Sequence, residues 1–314
     1  MKYSGIGGQA VIEGIMMKNK SDYATAVRKP DGEIEIQKEQ YVSMTEKVKF
    51  CSLPFVRGVF NFVDSMILGM RTLSFSAGFY EDDEDSEPGP FEMWLDKVFG
   101  EKVEKALMAV VMVFSVVMAI GIFMVLPLLI AGGFRRFVSS PTVMAILEGC
   151  IRIGIFVTYI LLISRMEDIR RTFMYHGAEH KCINCIEHGM TLTVDHVRQS
   201  SKQHKRCGTS FLFLVLAISI IMLVLVRAET PLMRIVIRIA LLPVIAGISY
   251  EFLKLAGRSE NPVVNLLSKP GLAIQKITTK EPDDGMIEVA IQAVEAVFDW
   301  RAYEAENFHA AADH

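Results

Sequence analysis

ALMAVVMVFSVVMAIGIFMVLPLLI, residues 106–130, decides the fold class of this chain. It is a run of 25 residues without an Asp, Glu, Lys or Arg. An α-helix rises about 1.5 Å per residue, so such a run crosses the roughly 30 Å hydrocarbon layer of a bilayer. Pro127 near its end is tolerable in a membrane helix, where neighbouring groups satisfy the freed carbonyl. Three further apolar runs follow. Residues 141–164 include Glu148 and Arg152, and residues 207–226 carry no charge. Residues 231–253 have Arg234 and Arg238 near one end and Glu251 near the other. The expected fold is mainly α, with about four transmembrane helices.

Composition supports a chain that alternates between apolar spans and polar parts. Hydrophobic residues make up 51% of the 314 and charged residues 22%. A net charge of −3 gives no sign of direct nucleic-acid binding. The five cysteines are an odd number and include Cys182-x-x-Cys185, which fits reduced thiols or metal ligands better than a disulfide framework. No cleavable signal peptide is expected, because Lys2 is followed by a Gly-rich, already polar stretch.

Orientation follows from Lys and Arg in the loops. The first loop offers Arg135 and Arg136, and the third Arg227 and Arg234. The middle loop carries Arg165, Arg170, Arg171, Lys181, Arg198, Lys202, Lys205 and Arg206. Four crossings of the cell membrane, with both termini and loop 165–206 in the cytoplasm, satisfy this bias. The lipid bilayer is then the first partner.

Outside the four-span domain, taken as residues 106–256, the chain divides into polar parts. Residues 1–50 form an N-terminal cytoplasmic region, with a β-hairpin read from Tyr23–Arg28, the turn Lys29-Pro30-Asp31-Gly32 and Glu33–Gln37. Residues 51–80 read as an amphipathic or re-entrant helix, because Arg57, Asn61, Asp64 and Arg71 recur on one helical face. Residues 81–105 are a linker opened by the acidic run Glu81–Glu87. In the cytoplasmic tail, 257–314, Pro270-Gly271 breaks the chain and Asp283 and Asp284 open a helix over about 285–300.

Five of the seven histidines and three of the five cysteines fall between His176 and Cys207. The centre of this cluster is His176-Gly177-Ala178-Glu179-His180, placed on a cytoplasmic extension of the second membrane helix because no Pro interrupts residues 142–180. Residues at i and i+4 share a helical face, so both imidazoles can reach one ion. Glu179 stands beside them as a candidate general base, in the H-x-x-E-H order. A third ligand must come from elsewhere, and His204 or Cys207 is the candidate. Thr193 can cap a short helix over about 194–203, which returns that pair in a helical hairpin. Glu187 shares the face of His180 but lies roughly 10 Å along the helix, too far to join. The expected cofactor is a divalent metal, zinc by donor type. A competing site, Cys182, Cys185, His204 and Cys207, would be closed and structural.

The charges within the spans form a second constellation. Glu148 and Arg152 are spaced i, i+4, and Arg238 is an alternative partner for Glu148. Glu251 could face the metal cluster from its own helix end. Glu13, in Gly7-Gly8-Gln9-Ala10-Val11-Ile12-Glu13-Gly14, reads either as a site carboxylate or as a turn glutamate.

Several of these segments together resemble a bacterial membrane family of unknown function, described as a predicted metal-dependent enzyme. They are residues 7–14, Val56-Arg57-Gly58, Tyr175-His176-Gly177-Ala178-Glu179-His180-Lys181, Arg206-Cys207-Gly208-Thr209-Ser210, Lys269-Pro270-Gly271-Leu272 and Ile277-Thr278-Thr279. The resemblance implies a polytopic fold and a metal site at His176, Glu179, His180 and His204 or Cys207. Members lie beside translation genes, which implies a membrane-protein or ribosome-linked partner. The expected function is a zinc-dependent hydrolase at the cytoplasmic face of the membrane. The alternatives are a scaffold or membrane-protein biogenesis factor with a structural metal site, or a transporter resting on Glu148, Arg152 and Arg238.

Overall fold

The N-terminal residues build more sheet than the alternation at residues 23–37 announces. The computed structural model describes residues 2–80, 101–225 and 230–309. Four strands, β1 (Gly7–Val11), β2 (Gly14–Asn19), β3 (Asp22–Arg28) and β4 (Ile34–Gln40), form one antiparallel sheet in sequence order. The expected hairpin is its β3–β4 half, with Arg28 opposite Ile34. The β1–β2 half was hidden because Gly7, Gly8 and Gly14 dilute the strand signal. Val11 pairs with Gly14, which leaves Ile12 and Glu13 as a two-residue turn with Glu13 at φ +46°. Glu13 is therefore the turn glutamate.

The helices are α1 (Val56–Ala77), α2 (Glu101–Ile120), α3 (Leu126–Gly133), α4 (Pro141–Ile163), α5 (Glu167–Glu187) and α6 (Val194–Gln199). They continue with α7 (Gly208–Leu225), α8 (Pro231–Ala256), α9 (Pro262–Thr278), α10 (Asp284–Val297) and α11 (Trp300–Glu304). Among the described residues, three helical stretches are long and apolar enough to cross a membrane: Val113–Gly133, Pro141–Ile163 and Ile239–Ala256. The remaining expected crossing appears as a shorter apolar helix, Gly208–Met222.

The chain divides into two compact units. In the first, comprising Met1–Tyr80, Ile160–Ser219 and Ala240–His314, one face of the sheet packs on α5 and α10. Ile15, Met17 and Ala26 meet Tyr175, Ala178 and Cys182 of α5, and Ile287, Ala290 and Val294 of α10. Each large aliphatic side chain so buried contributes roughly 1.5–3 kcal/mol. The other face sets Met16 and Tyr23 against Leu68 of α1. In the second unit, Glu81–Tyr159 and Ile220–Ile239, Glu148 and Arg152 are both buried and pair at 3.2 Å. Phe123 packs edge-on against Phe156 and Tyr159. The side chain of Arg238 and the acidic run 81–87 lie outside the described residues.

Two expectations need correction. The His-bearing helix is not an extension of α4: residues 164–166 fold back on the last turn, and Met166 is extended at φ −68° and ψ 136°. Glu167 and Asp168 then start α5, where carboxylates favour the positive helix end. Pro270 does not break the tail but lies inside α9. Packing outweighs the lost hydrogen bond there, because Gly271 sits against Ser210 and Gln275 of the next turn bonds both Ser210 and His204. The polar residues of α1 find partners within the fold. Arg57 pairs with Glu251, Asn61 accepts from Thr45, Asp64 accepts from Tyr41 and the Met44 N–H, and Arg71 lies over the Tyr41 ring. Phe62, Met66, Met70 and Leu73 are large apolar side chains that this helix leaves exposed.

Candidate metal centre

On α5, His176 and His180 stand one turn apart with ring centroids 4.4 Å from each other. Each ring is fixed from behind by a main-chain carbonyl. His176 Nδ1 bonds Thr278 O at 3.0 Å, and His180 Nδ1 bonds Lys202 O at 2.8 Å. A carbonyl can only accept, so both Nδ1 atoms carry a proton and both Nε2 atoms are turned toward the site. Cys207 Sγ is 3.2 Å from His176 Nε2 and accepts the Thr209 N–H. One donor atom each from His176, His180 and Cys207 fit within 4.8 Å of one another, and among the described residues these form the group able to hold a metal.

Charge follows the geometry. Burial opposes ionisation of Cys207, but His176 and His180 outweigh it and hold the thiol well below its usual range. Burial likewise opposes charge on His176, which the Cys207 thiolate, with help from Glu179, raises to about 9. Glu179 is buried at the base of β1, and burial raises its pKa against the pull of both histidines and the N–H of Gly8. His176 is the partly exposed member of the group.

Small residues and a pinned loop produce this arrangement. Gly177 lies so close to the 280 peptide that a Cβ would come 2.0 Å from Lys280 O. Gly8 lets β1 approach: a Cβ there would meet Glu179 Cγ at 2.9 Å and Met16 O at 2.7 Å. Loop 198–203 is bound to one face of α5, with Lys181 Nζ donating to Arg198 O and Asn184 Nδ2 to Ser201 O and Gln203 O. That delivers Cys207 to the histidines. Gly177→Ala is therefore expected to destabilise the fold by about 3 kcal/mol, the upper range for overpacking, because a backbone oxygen cannot swing aside. Chemical denaturation of the two proteins checks this.

His204 does not join the group. Its N–H bonds Gln275, and its Nε2 faces Glu187 at 3.4 Å. Burial lowers its pKa, so it is neutral and donates to the carboxylate rather than forming an ion pair. The closed four-cysteine-and-histidine site is not assembled either: Cys182 is in the core, and Cys185 donates its S–H to Met190 O and Thr191 O. Glu251 faces Arg57 and not the cluster. The hairpin helix α6 is shorter than expected, with Thr193 capping it through the His196 N–H.

Glu187 instead ties down the N-terminal segment. Its Oε1 accepts from Ser4 N at 2.9 Å, Ser4 Oγ at 2.8 Å and Arg206 Nη2 at 2.6 Å. Burial would raise its pKa, but His204 and Arg206 outweigh that and bring it from 4.5 to about 2. A depressed folded-state pKa means stability that is complete above about 4.5 and lost as pH falls toward 2. The shift corresponds to something on the order of 3 kcal/mol. Hydrogen exchange of residues 2–6 is expected to accelerate across that window, and Glu187→Gln to flatten the response.

Thr278, Lys202 and Gly8 are site residues that sequence reading missed. Two of them act through backbone carbonyls, which leave no signal in side-chain type. Segments that carry the family resemblance do meet here: residues 7–14, 175–181, 206–210 and 277–279 supply His176, His180 and Cys207 or touch them or Glu179.

A family model described as "Protein of unknown function (DUF1385)" matches residues 53–300. A protein of Bacillus subtilis (strain 168), described as "Uncharacterized protein YqhQ", is 35% identical over 304 residues, covering 96% of this chain and 94% of the relative. No solved structure matches the chain. Neither description names an activity, a metal or a membrane.

Proposed function

We propose, for a chain that belongs to the DUF1385 family of proteins of unknown function, that it is a metal-dependent hydrolase embedded in the cell membrane. The observation that carries this reading is the convergence of His176, His180 and Cys207, both imidazoles with Nδ1 held by carbonyls. Two imidazoles and a thiolate suit zinc, and three protein ligands leave a fourth position open, as in catalytic rather than structural sites. When bound, the ion would supply Lewis acidity and make a water molecule at that position more acidic. Glu179 would take the proton, as a buried carboxylate whose pKa is raised toward the working range of a general base. The Thr278 and Lys202 carbonyls keep the two rings oriented.

For the membrane, three apolar helical stretches support embedding, and the Lys and Arg of residues 165–206 support a cytoplasmic centre. In this reading α7 provides the fourth crossing, and both termini are cytoplasmic. A second reading, a scaffold or biogenesis factor with a structural ion, draws on the burial of His180 and Cys207 and on the three segments that their contacts join. Metal analysis of protein purified without chelator tests the premise of both: one zinc per chain is expected, and a metal-free protein would overturn them.

A further inference from the structure

The C-terminal end of α8 carries a charge arrangement that hydrolysis does not use. Lys254 has Arg57, Arg258 and Glu251 as its electrostatic neighbours. Arg57 is committed to Glu251, Nη2 to Oε2 at 2.5 Å. Arg206 and Arg258 both lie over the Tyr3 ring, 4.3 and 4.9 Å from its centroid. A guanidinium stacked on a ring keeps its N–H donors directed outward along its edge. Arg206 gives one nitrogen to Glu187, while its Nη1 is buried without a hydrogen-bond partner. The Glu251 and Glu187 carboxylates are thus already engaged. Among the described residues neither Lys254 nor Arg258 has an ion pair.

Apolar side chains flank these cations. Phe55 is 55% exposed and Leu255 52%, with Leu53 and Phe50 exposed beside them in sequence. Exposed aromatic and aliphatic groups next to unpaired cations, at the end of a helix apolar enough to cross a membrane, are what the headgroup level of a bilayer selects. A soluble anion would account for the cations but not for the apolar groups.

We propose that Lys254 and Arg258 bind the phosphate of an anionic phospholipid, while Phe55 and Leu255 enter the upper acyl region. The inference rests on the membrane location above and not on the metal or on hydrolysis.

The test is titration of the full-length protein, in neutral-detergent micelles, with labelled phosphatidylglycerol or phosphatidylcholine. Wild-type protein is expected to prefer phosphatidylglycerol at least about tenfold. The double variant Lys254→Gln/Arg258→Gln should lose about 30-fold of that affinity, roughly fivefold per cation, with metal content and melting temperature unchanged. Lys38→Gln, on β4, should lose nothing. Equal binding of the two lipids, or full phosphatidylglycerol binding by the double variant, overturns the proposal. Competition by inorganic phosphate at equal concentration also overturns it, assigning the site to a soluble anion. Alkaline extraction separates the two levels. Protein released from membranes without detergent refutes the membrane reading, whereas protein that stays embedded but shows no lipid preference refutes only this inference.

Discussion

Glu179→Gln protein, on the proposed hydrolase reading, is expected to keep its fold and bind metal and to lose about 10²–10⁴-fold of the hydrolytic rate. The substitution preserves volume and an oxygen that can accept the Gly8 N–H, the contact that seats this side chain against β1. It removes only the basicity. A carboxylate next to two histidines serves a merely structural site equally well as an amide, so that reading expects Gln to be tolerated. Hydrolysis of a panel of ester, amide and phosphoester reporters gives the rate, and rescue of a deletion strain gives the biological readout. Metal must be measured on the same preparation, because losing a supporting hydrogen bond can cost 10–100-fold in metal affinity by itself. Full activity in a metal-loaded Glu179→Gln protein would remove the base from the mechanism and leave the scaffold as the better account.

The helical faces of this centre were legible because α-helical periodicity is a local property: His176, Glu179 and His180 are ordered by 3.6 residues per turn whatever surrounds them. The long apolar runs were legible for a similar reason, since hydrocarbon thickness sets their length. The third donor of the group was legible only as a pair, His204 or Cys207. Choosing between them depends on how loop 198–203 lies along α5, and that is fixed by Lys181 and Asn184 bonding to carbonyls. Carbonyls are the same at every residue, so no pattern of side chains announces them. The α4–α5 break was invisible for the opposite reason. No Pro or Gly marks residues 164–166, and the acidic start of α5 is a weak signal beside an uninterrupted apolar helix. Gly8, Gly177 and Gly271 were visible as residues but not as close approaches, because the backbone or side chain they admit comes from a distant segment.

His180→Ala and His204→Ala should behave as opposites. His180 presents Nε2 to the cluster, with Nδ1 anchored on Lys202 O, so its loss leaves two donors, fewer than the three that catalytic zinc sites use. Metal affinity is then expected to fall by at least about 10²-fold, since even losing a group that only supports a ligand reaches that size. His204 has its ring on Glu187, outside the 4.8 Å group, and His204→Ala should retain stoichiometric metal. Its cost lies in stability instead. Glu187 would keep Arg206 and Ser4 but lose a buried donor, worth about 1–3 kcal/mol. Zinc competition with a chelating dye, run beside denaturation of the same proteins, reads both axes. If His204→Ala lost the metal and His180→Ala kept it, the ligand set drawn from this geometry would be wrong. Loss from both would place the ion deeper, shared between the Cys207 and Glu187 ends of the loop. The rings of His180 and His204 lie 5.8 Å apart at 47°. A change of ligand from Cys207 to His204 would therefore require His204 to leave Glu187, and the N-terminal segment that Glu187 holds would report it through faster exchange at residues 2–6.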